Sequence, residues 1–86
     1  MKKITVFWFP SCPFCQKALR FADELRAEDP RYAALEVEMI DERKHPEIAD
    51  KYDYYYVPTY YVGDQKLHEG AAGKDDVRAV FDAALA

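Results

Sequence analysis

Two cysteines three positions apart are the residues of this chain best suited to chemistry. Cys12 and Cys15 stand in the run Ser11-Cys12-Pro13-Phe14-Cys15, and the chain has no other cysteine. If this run opens a helix, the sulfurs lie one turn apart, at a Cα separation that a disulfide tolerates. A bridge between positions this close constrains almost no chain and would add little stability. The spacing therefore predicts a pair that cycles between dithiol and disulfide.

The two thiols are not expected to be equivalent. Cys12 falls at the predicted N-cap, where free backbone N–H groups and the positive end of the helix dipole stabilise a thiolate. Pro13 suits the first helical position, because its missing N–H has no partner to lose there. Since the thiolate is the nucleophile, we expect Cys12 to attack a substrate disulfide and the more buried Cys15 to resolve the mixed disulfide. Lys17 either adds positive charge beside Cys12 or points to solvent.

Two other uses of the pair are weighed against this one. The cysteines could instead be two small core residues, since free cysteine is often buried. This use is disfavoured because a helix start is seldom deeply buried. Zinc would need four ligands, and only His45 and His68 remain to supply the others. A metal-carrying module, as in small copper chaperones with Cys-x-x-Cys, stays an alternative, but that class has a β-α-β-β-α-β order. We expect no metal site.

The elements that would position the cysteines follow from the hydrophobic pattern. Leu35, Val37 and Met39 alternate with Glu36 and Glu38, as in a half-exposed strand. The whole pattern predicts strands over 2–9, 35–39, 59–62 and 66–69, and helices over 13–28, from Pro46, and over 74–85. The order is β-α-β-α-β-β-α, an α/β class. It is the minimal thioredoxin fold, a four-stranded mixed sheet flanked by helices, as a single domain over 1–86.

The run Val57-Pro58-Thr59 precedes the hairpin. A proline at the start of an internal strand removes a donor from the ladder and indicates a special backbone state. A trans bond is the commoner state of an X–Pro pair, and a cis bond is uncommon enough to signal a role. A cis bond would bring this loop beside the cysteines and leave the main chain of Val57 free to pair with an extended substrate.

Net charge, the lengths of apolar runs and the number of cysteines disfavour several classes of protein. The 86 residues carry a net charge of −4, which disfavours nucleic-acid binding because phosphate contacts need clustered Lys and Arg. The apolar run over 4–9 is too short for a signal peptide or a membrane span. Secreted disulfide scaffolds carry more cysteines, spread along the chain. We expect a cytoplasmic monomer that binds neither nucleic acid nor membrane.

The chain resembles the thioredoxin/glutaredoxin family over essentially its whole length. Cys12-Pro13-Phe14-Cys15 is similar to the Cys-Pro-Tyr-Cys site of dithiol glutaredoxins, and Phe7-Trp8-Phe9-Pro10 is closer to the thioredoxin Phe-Trp-Ala lead. Val57-Pro58-Thr59 matches the cis-proline signature of both branches, and Asp75-Asp76 is like the acidic pair with which glutaredoxins hold glutathione. The Gly-Gly that precedes that pair in glutaredoxins is absent here, as is the Trp before the first thioredoxin cysteine.

The resemblance implies a dithiol disulfide oxidoreductase with no bound cofactor. Its partners would be disulfide-containing proteins or glutathione mixed disulfides, and glutathione is a possible co-substrate. The electron donor is either glutathione or thioredoxin reductase. The resemblance also implies that Pro13, Phe14, Val57, Pro58, Thr59, Asp75 and Asp76 contact substrate.

Tyrosines crowd the approach to Pro58. Tyr60 and Tyr61 alternate in the predicted strand, which would place one in the core and one on the surface. Exposed tyrosines in the loop over 54–56 would lie beside the cysteines. We therefore hypothesise that this loop forms a docking surface for a peptide or for glutathione.

Overall fold

A computed structural model describes all residues of the chain, 1–86, as a sheet of four strands between helices. The strands are β1 (Ile4–Trp8), β2 (Val37–Asp41), β3 (Thr59–Val62) and β4 (Gln65–Glu69). The helices are α1 (Pro13–Glu28), α2 (Pro30–Ala33), α3 (Pro46–Ala49) and α4 (Lys74–Leu85). The first three helices begin on a proline, which suits the first helical position because it has no N–H to leave unpaired.

The sheet is mixed, with strand order β2-β1-β3-β4. β1 pairs parallel to β2, from Ile4 opposite Val37 to Trp8 opposite Asp41. β3 runs antiparallel to β1, with Thr59 opposite Phe7, and β4 returns antiparallel to β3. The carboxyl ends of β1, β2 and β4 therefore share one edge of the sheet with the amino end of β3. This topology confirms the predicted fold class.

Both faces of the sheet are covered by apolar side chains. Successive strand residues point to opposite faces, so Ile4 and Val6 contribute to one cluster and Phe7 to the other. The larger cluster packs the sheet against α1, α2 and α4 and includes Leu25, Tyr60 and Phe81. The smaller cluster consists of Phe7, Ile40, Ala49 and Tyr61, with Ile48, Tyr52, Tyr54 and Val57 packed against it. β1 is consequently the buried centre of the fold, as its apolar sequence predicts.

Three details differ from the sequence predictions. β2 lies two residues later than predicted, and Ile40 is buried whereas Met39 is 37% exposed. The short helix α2 was not predicted, and it follows α1 after one residue because the Asp29 carboxylate accepts the Arg31 N–H. The prediction of one surface tyrosine in β3 is wrong, since α3 and the loop after it bury Tyr61 as well.

None of the helices combines the length and the apolar character needed to cross a membrane.

Candidate active site

The cysteine pair lies where β1 passes into α1. Cys12 is the N-cap of α1, with extended backbone angles of φ −83° and ψ 115°, and Pro13 is the first helical residue. The Cys12 Sγ accepts the backbone N–H of Cys15 at 3.2 Å, so the sulfur performs the capping that an Asp or Ser oxygen usually performs. The Cys12 N–H donates to the Phe9 carbonyl at 3.2 Å, which fixes the turn between strand and helix.

The two thiols differ in how deeply they are buried. Cys12 is 4% exposed and Cys15 is fully buried, and both are free thiols in this structure. Burial, together with hydrogen bonding to Cys12, raises the pKa of the Cys15 thiol to about 12. Cys15 is therefore protonated at neutral pH, whereas a thiolate at Cys12 would be met by the amide of Cys15 and the helix dipole.

The Val57–Pro58 peptide bond is cis. Pro58 is buried, and its carbonyl accepts the Gly70 N–H at 2.9 Å. The hydroxyl of Thr59 donates to the Tyr56 carbonyl and is thus engaged within the loop. Neither the N–H nor the carbonyl of Val57 has a hydrogen-bond partner within the chain. Because Thr59 lies opposite Phe7, this free backbone is at the same edge of the sheet as the cysteine turn.

A groove runs between the start of α1 and the loop that leads to α4. It has a volume of about 220 Å³ and is lined by Phe14, Lys17, Ala71, Ala72 and Gly73. Phe14 is 58% exposed, and the Lys17 ammonium lies 5.9 Å from the Phe21 ring centre, one helical turn further on. The groove brings Phe14 of the cysteine motif together with the loop before α4.

The two aspartates after this loop occupy different positions. The Asp76 carboxylate accepts the Gly73 N–H at 2.9 Å and so caps α4. The Asp75 carboxylate is 98% exposed and lies 3.7 Å from the Arg78 guanidinium. Asp75 is therefore the member of the pair whose oxygens remain open to a ligand, and contact of either aspartate with substrate stays a prediction.

A cation that the sequence analysis did not identify flanks the cysteine turn. The Arg43 guanidinium lies 3.8 Å from the Phe9 ring centre, and its Nη1 is 3.4 Å from the Ser11 hydroxyl. Arg43 follows β2, whose parallel pairing with β1 places the two strands' carboxyl ends side by side. That parallel pairing was the signal in the sequence from which Arg43 could have been found.

The tyrosine loop divides into a packed and an exposed part. Tyr54 stacks on Phe7 with ring centres 4.9 Å apart and donates its hydroxyl to Glu42 at 2.7 Å. Its burial and this carboxylate raise the pKa of Tyr54. Tyr55 and Tyr56, by contrast, are 87% and 71% exposed. Tyr54 is therefore part of the smaller core cluster, and only Tyr55 and Tyr56 remain candidates for a docking surface.

Comparisons with known proteins agree with this geometry. The family model described as glutaredoxin matches residues 4–67, which includes both cysteines and the cis-proline. The chain belongs to the glutaredoxin family. A curated protein named thioredoxin, from Methanocaldococcus jannaschii, is 36% identical to this glutaredoxin-family chain over 73 residues, which cover 85% of the chain and 84% of that protein.

A solved structure described as that of a malarial protein superimposes on this glutaredoxin-family chain with a TM-score of 0.70. The alignment covers 96% of each chain at 17% identity, and it shows a shared fold alone. Membership of the glutaredoxin family supports a thiol oxidoreductase role for the chain, which the resemblance of its cysteine motif had already implied.

The metal-carrying alternative for this glutaredoxin-family chain depends on the cysteine pair itself. No three His, Cys, Asp or Glu side chains are grouped so that they could hold a metal ion. The His45 ring pairs with the Glu47 carboxylate, and the His68 ring pairs with the Ala71 carbonyl. The element order also differs from the β-α-β-β-α-β order of the copper chaperones.

Proposed function

We propose that this chain is a dithiol disulfide oxidoreductase in which Cys12 is the nucleophile and Cys15 the resolving thiol. The observation that carries the proposal is the Cys12 Sγ at the N-cap of α1, which accepts the Cys15 amide at 3.2 Å. The amide and the dipole of a 16-residue helix act on this sulfur before any substrate arrives. Such preorganised dipoles favour the anionic form of a nucleophile without reorganisation.

The reaction exchanges two thiols for one disulfide in two steps. The Cys12 thiolate attacks one sulfur of a substrate disulfide, a new S–S bond forms, and the other substrate sulfur departs as a thiolate. The Cys15 sulfur then attacks the Cys12 Sγ, which releases the second substrate sulfur and leaves a Cys12–Cys15 disulfide. Two electrons have passed from the protein to the substrate.

The buried Cys15 thiol retains its proton until this second step. Its pKa of about 12 keeps it neutral while Cys12 reacts, so only one sulfur competes for the substrate. The departing substrate thiolate is the proton acceptor that the reaction itself supplies. This difference between the thiols supports Cys12 as the sulfur that attacks first.

Glutathione or a disulfide-containing protein is the substrate class, and glutathione or thioredoxin reductase is the electron donor. The groove beside Phe14 supports glutathione as a co-substrate, because its volume of about 220 Å³ lies next to the motif and the open Asp75 carboxylate follows it. The free backbone of Val57 supports an extended peptide, since it can pair with a passing chain. A pair that works as a dithiol suits a reducing compartment such as the cytoplasm.

Reduction of insulin and of a glutathione mixed disulfide, each measured with glutathione and with thioredoxin reductase as donor, tests the proposal. We expect turnover with at least one donor, and the donor that supports it is then identified. Cys12→Ser should abolish all activity, and Cys15→Ser should stop insulin reduction while still forming a mixed disulfide at Cys12 that mass spectrometry detects. Full activity of the Cys12→Ser variant would refute the proposal.

A further inference from the structure

Most of the large apolar side chains exposed on this chain lie around the cysteine turn. Five such side chains are exposed, and Phe14, Tyr55 and Tyr56 are three of them. Phe14 belongs to the cysteine motif, and Tyr56 packs beside Gly70, whose ideal Cβ position is 3.7 Å from the Tyr56 Cβ. We define the aromatic arc as Phe14, Tyr55 and Tyr56, which belong to the start of α1 and to the loop before β3, two segments that meet at the same edge of the sheet. Clustered exposed aromatic residues mark interaction sites.

A charged side chain holds the tyrosines of the arc in place. The Glu69 carboxylate accepts the N–H groups of Tyr55 and Tyr56 at 2.6 and 3.0 Å. The Lys66 ammonium donates to the other Glu69 oxygen at 2.7 Å and, at 3.1 Å, to the Asp53 carbonyl. These bonds join β4 to the loop at Asp53 and at Tyr55 and Tyr56. The exposed rings of Tyr55 and Tyr56 are therefore carried on a backbone that is held in place. A preorganised aromatic residue loses less entropy on binding than a mobile one.

We infer that the aromatic arc binds the apolar residues that flank a disulfide in an extended polypeptide substrate. The inference rests on the proposed function and names its preferred substrate class. A chain that pairs with the free backbone of Val57 would pass beside Tyr56 and Tyr55, the two residues that precede Val57 in the loop. The arc is therefore continuous with the position where the substrate cysteine would lie.

The charge around Tyr55 favours such a polypeptide over glutathione at this end of the arc. Tyr55 lines a depression of about 250 Å³ together with the Glu42 and Asp50 side chains. These acidic groups repel the two carboxylates of glutathione, which also has no apolar side chain for the rings to contact. An uncharged or basic segment with Phe or Leu beside its cysteine matches both the rings and the charge.

Single-turnover reduction of mixed disulfides between cysteine peptides and a coloured aryl thiol measures this preference without any electron donor. One peptide carries Phe on both sides of its cysteine, a second carries Ser there, and glutathione provides the small reference. We expect Tyr55→Ser/Tyr56→Ser to lower the rate constant for the Phe peptide about tenfold, and those for the Ser peptide and glutathione less than about twofold. Tyr55→Phe/Tyr56→Phe should preserve the rate, because the rings remain.

Glu69→Gln tests the positioning role, and Glu38→Gln, which changes another paired surface carboxylate, is its matched control. We expect Glu69→Gln to lower the rate for the Phe peptide selectively and Glu38→Gln to leave all three rates unchanged. If the Tyr55→Ser/Tyr56→Ser variant does not fold, the single variant Tyr55→Ser is measured on the same three substrates. Equal losses on all three substrates, or none on the Phe peptide, would overturn the inference. Failure of the wild type on every substrate would instead refute the proposed function.

Discussion

At the scale of single residues, the chemistry depends on a sulfur that serves as a helix cap. A capping oxygen and a capping sulfur accept the same backbone N–H, but the sulfur can also attack a disulfide. The Cys12 Sγ is held by the Cys15 N–H, so the backbone of the second cysteine fixes the position of the first. The cap and the proposed nucleophile are therefore one atom.

Alkylation should distinguish the two thiols of the reduced protein. Cys15 is fully buried and its pKa is about 12, so it is protonated at all pH values below that region. We expect iodoacetamide at pH 7.5 to label Cys12 alone, and Cys15 to react only after denaturation or as the pH approaches its pKa. Peptide mapping by mass spectrometry gives the label at each site. Equal labelling of both cysteines at neutral pH would contradict this assignment.

The Tyr60 hydroxyl is a second residue whose position gives a measurable consequence. It is buried in the larger cluster and has no hydrogen-bond partner. An unpaired buried polar group costs about 1–3 kcal/mol, so Tyr60→Phe should raise the free energy of unfolding by about 1 kcal/mol. Urea unfolding measures the change. A loss of stability in Tyr60→Phe would show that a bound water pairs with the hydroxyl in solution.

The sequence predicted the residues whose role depends on local spacing. Cys12, Pro13 and Cys15 could be placed at a helix start because their positions along the chain decide that geometry. Glu69 could not be assigned, because its partners, the Tyr55 and Tyr56 amides, are brought to it by strand register. The parallel pairing of β1 and β2 could have placed Arg43 near the cysteine turn, but not its contact with Phe9. The Tyr54 side chain was grouped with Tyr55 and Tyr56, and only its contact with Phe7 separates it from them.

At the scale of elements, the loop before β3 is held by an ion pair that acid should release. The Lys66 ammonium and two backbone amides lower the pKa of Glu69 to about 2, against an ordinary 4.5. A carboxylate with a depressed folded-state pKa stabilises the fold above its unfolded pKa, and this contribution disappears as the pH falls through the folded pKa. The contribution of Glu69 is thus present above pH 4.5 and lost towards pH 2.

Comparison of wild type with Glu69→Gln across this range measures the contribution. We expect the wild type to be more stable than the variant at pH 6, and the difference to shrink as the pH falls from 4.5 to about 2. Urea unfolding at several pH values gives both curves. A difference that stays constant with pH would mean that the carboxylate charge is not responsible.

The cap of α4 gives a further prediction for an element. Asp76 accepts the Gly73 N–H, whereas Asp75 is 98% exposed and makes no such bond. Asp76→Ala should therefore destabilise the protein by about 1 kcal/mol, and Asp75→Ala by less than half of that. Thermal or urea unfolding of both variants decides between them. Equal losses would indicate a general charge effect instead of a cap.

Element bounds were predicted best where proline, aspartate or glycine marks a helix terminus. The predicted bounds of α1 and α4 agree with the structure, since Pro13, Asp29 and Gly73 limit them. β2 was misplaced by two residues because Glu36 and Glu38 alternate with apolar residues although Val37 and Met39 are only partly covered. How far the residues of an edge strand are buried depends on tertiary packing, which an alternating sequence pattern does not predict.

At the scale of the whole molecule, the two core clusters have different tasks. The larger cluster holds the long helices to the sheet, and the smaller one holds α3 and the tyrosine loop. Phe7 contacts the rings of Tyr52, Tyr54 and Tyr61 at 4.6, 4.9 and 5.9 Å between ring centres. The smaller cluster therefore connects the centre of the sheet to the loop that ends at the cis-proline.

Cavity-forming substitutions in the two clusters should have separable effects. Phe7→Ala and Leu25→Ala each remove a fully buried side chain and should cost about 3–5 and 2–5 kcal/mol respectively. Only Phe7→Ala should also weaken peptide reduction at temperatures where both variants are folded, because it removes the support of the tyrosine loop. Urea unfolding and the insulin assay together test this. Equal activity of the two folded variants would contradict the division of tasks.

The overall topology was predictable because a short chain with this order of elements has few ways to form a sheet. The burial of both sheet faces by separate clusters was not predictable. The second face is buried by the short helix α3 and the irregular loop that follows it. Tyr61 shows this, because it alternates like a surface residue and is nevertheless buried.

The recessed position of the reactive sulfur limits which disulfides can reach it. With Cys12 only 4% exposed, we expect a rigid partner whose disulfide lies flush with its own surface to bring its sulfur close to Cys12 only with difficulty. A bridge carried on a protruding hairpin, a frayed terminus or a nascent chain can enter. On the proposed mechanism, we therefore expect disulfides of locally opened proteins to be reduced faster than those that lie flush with a compact surface.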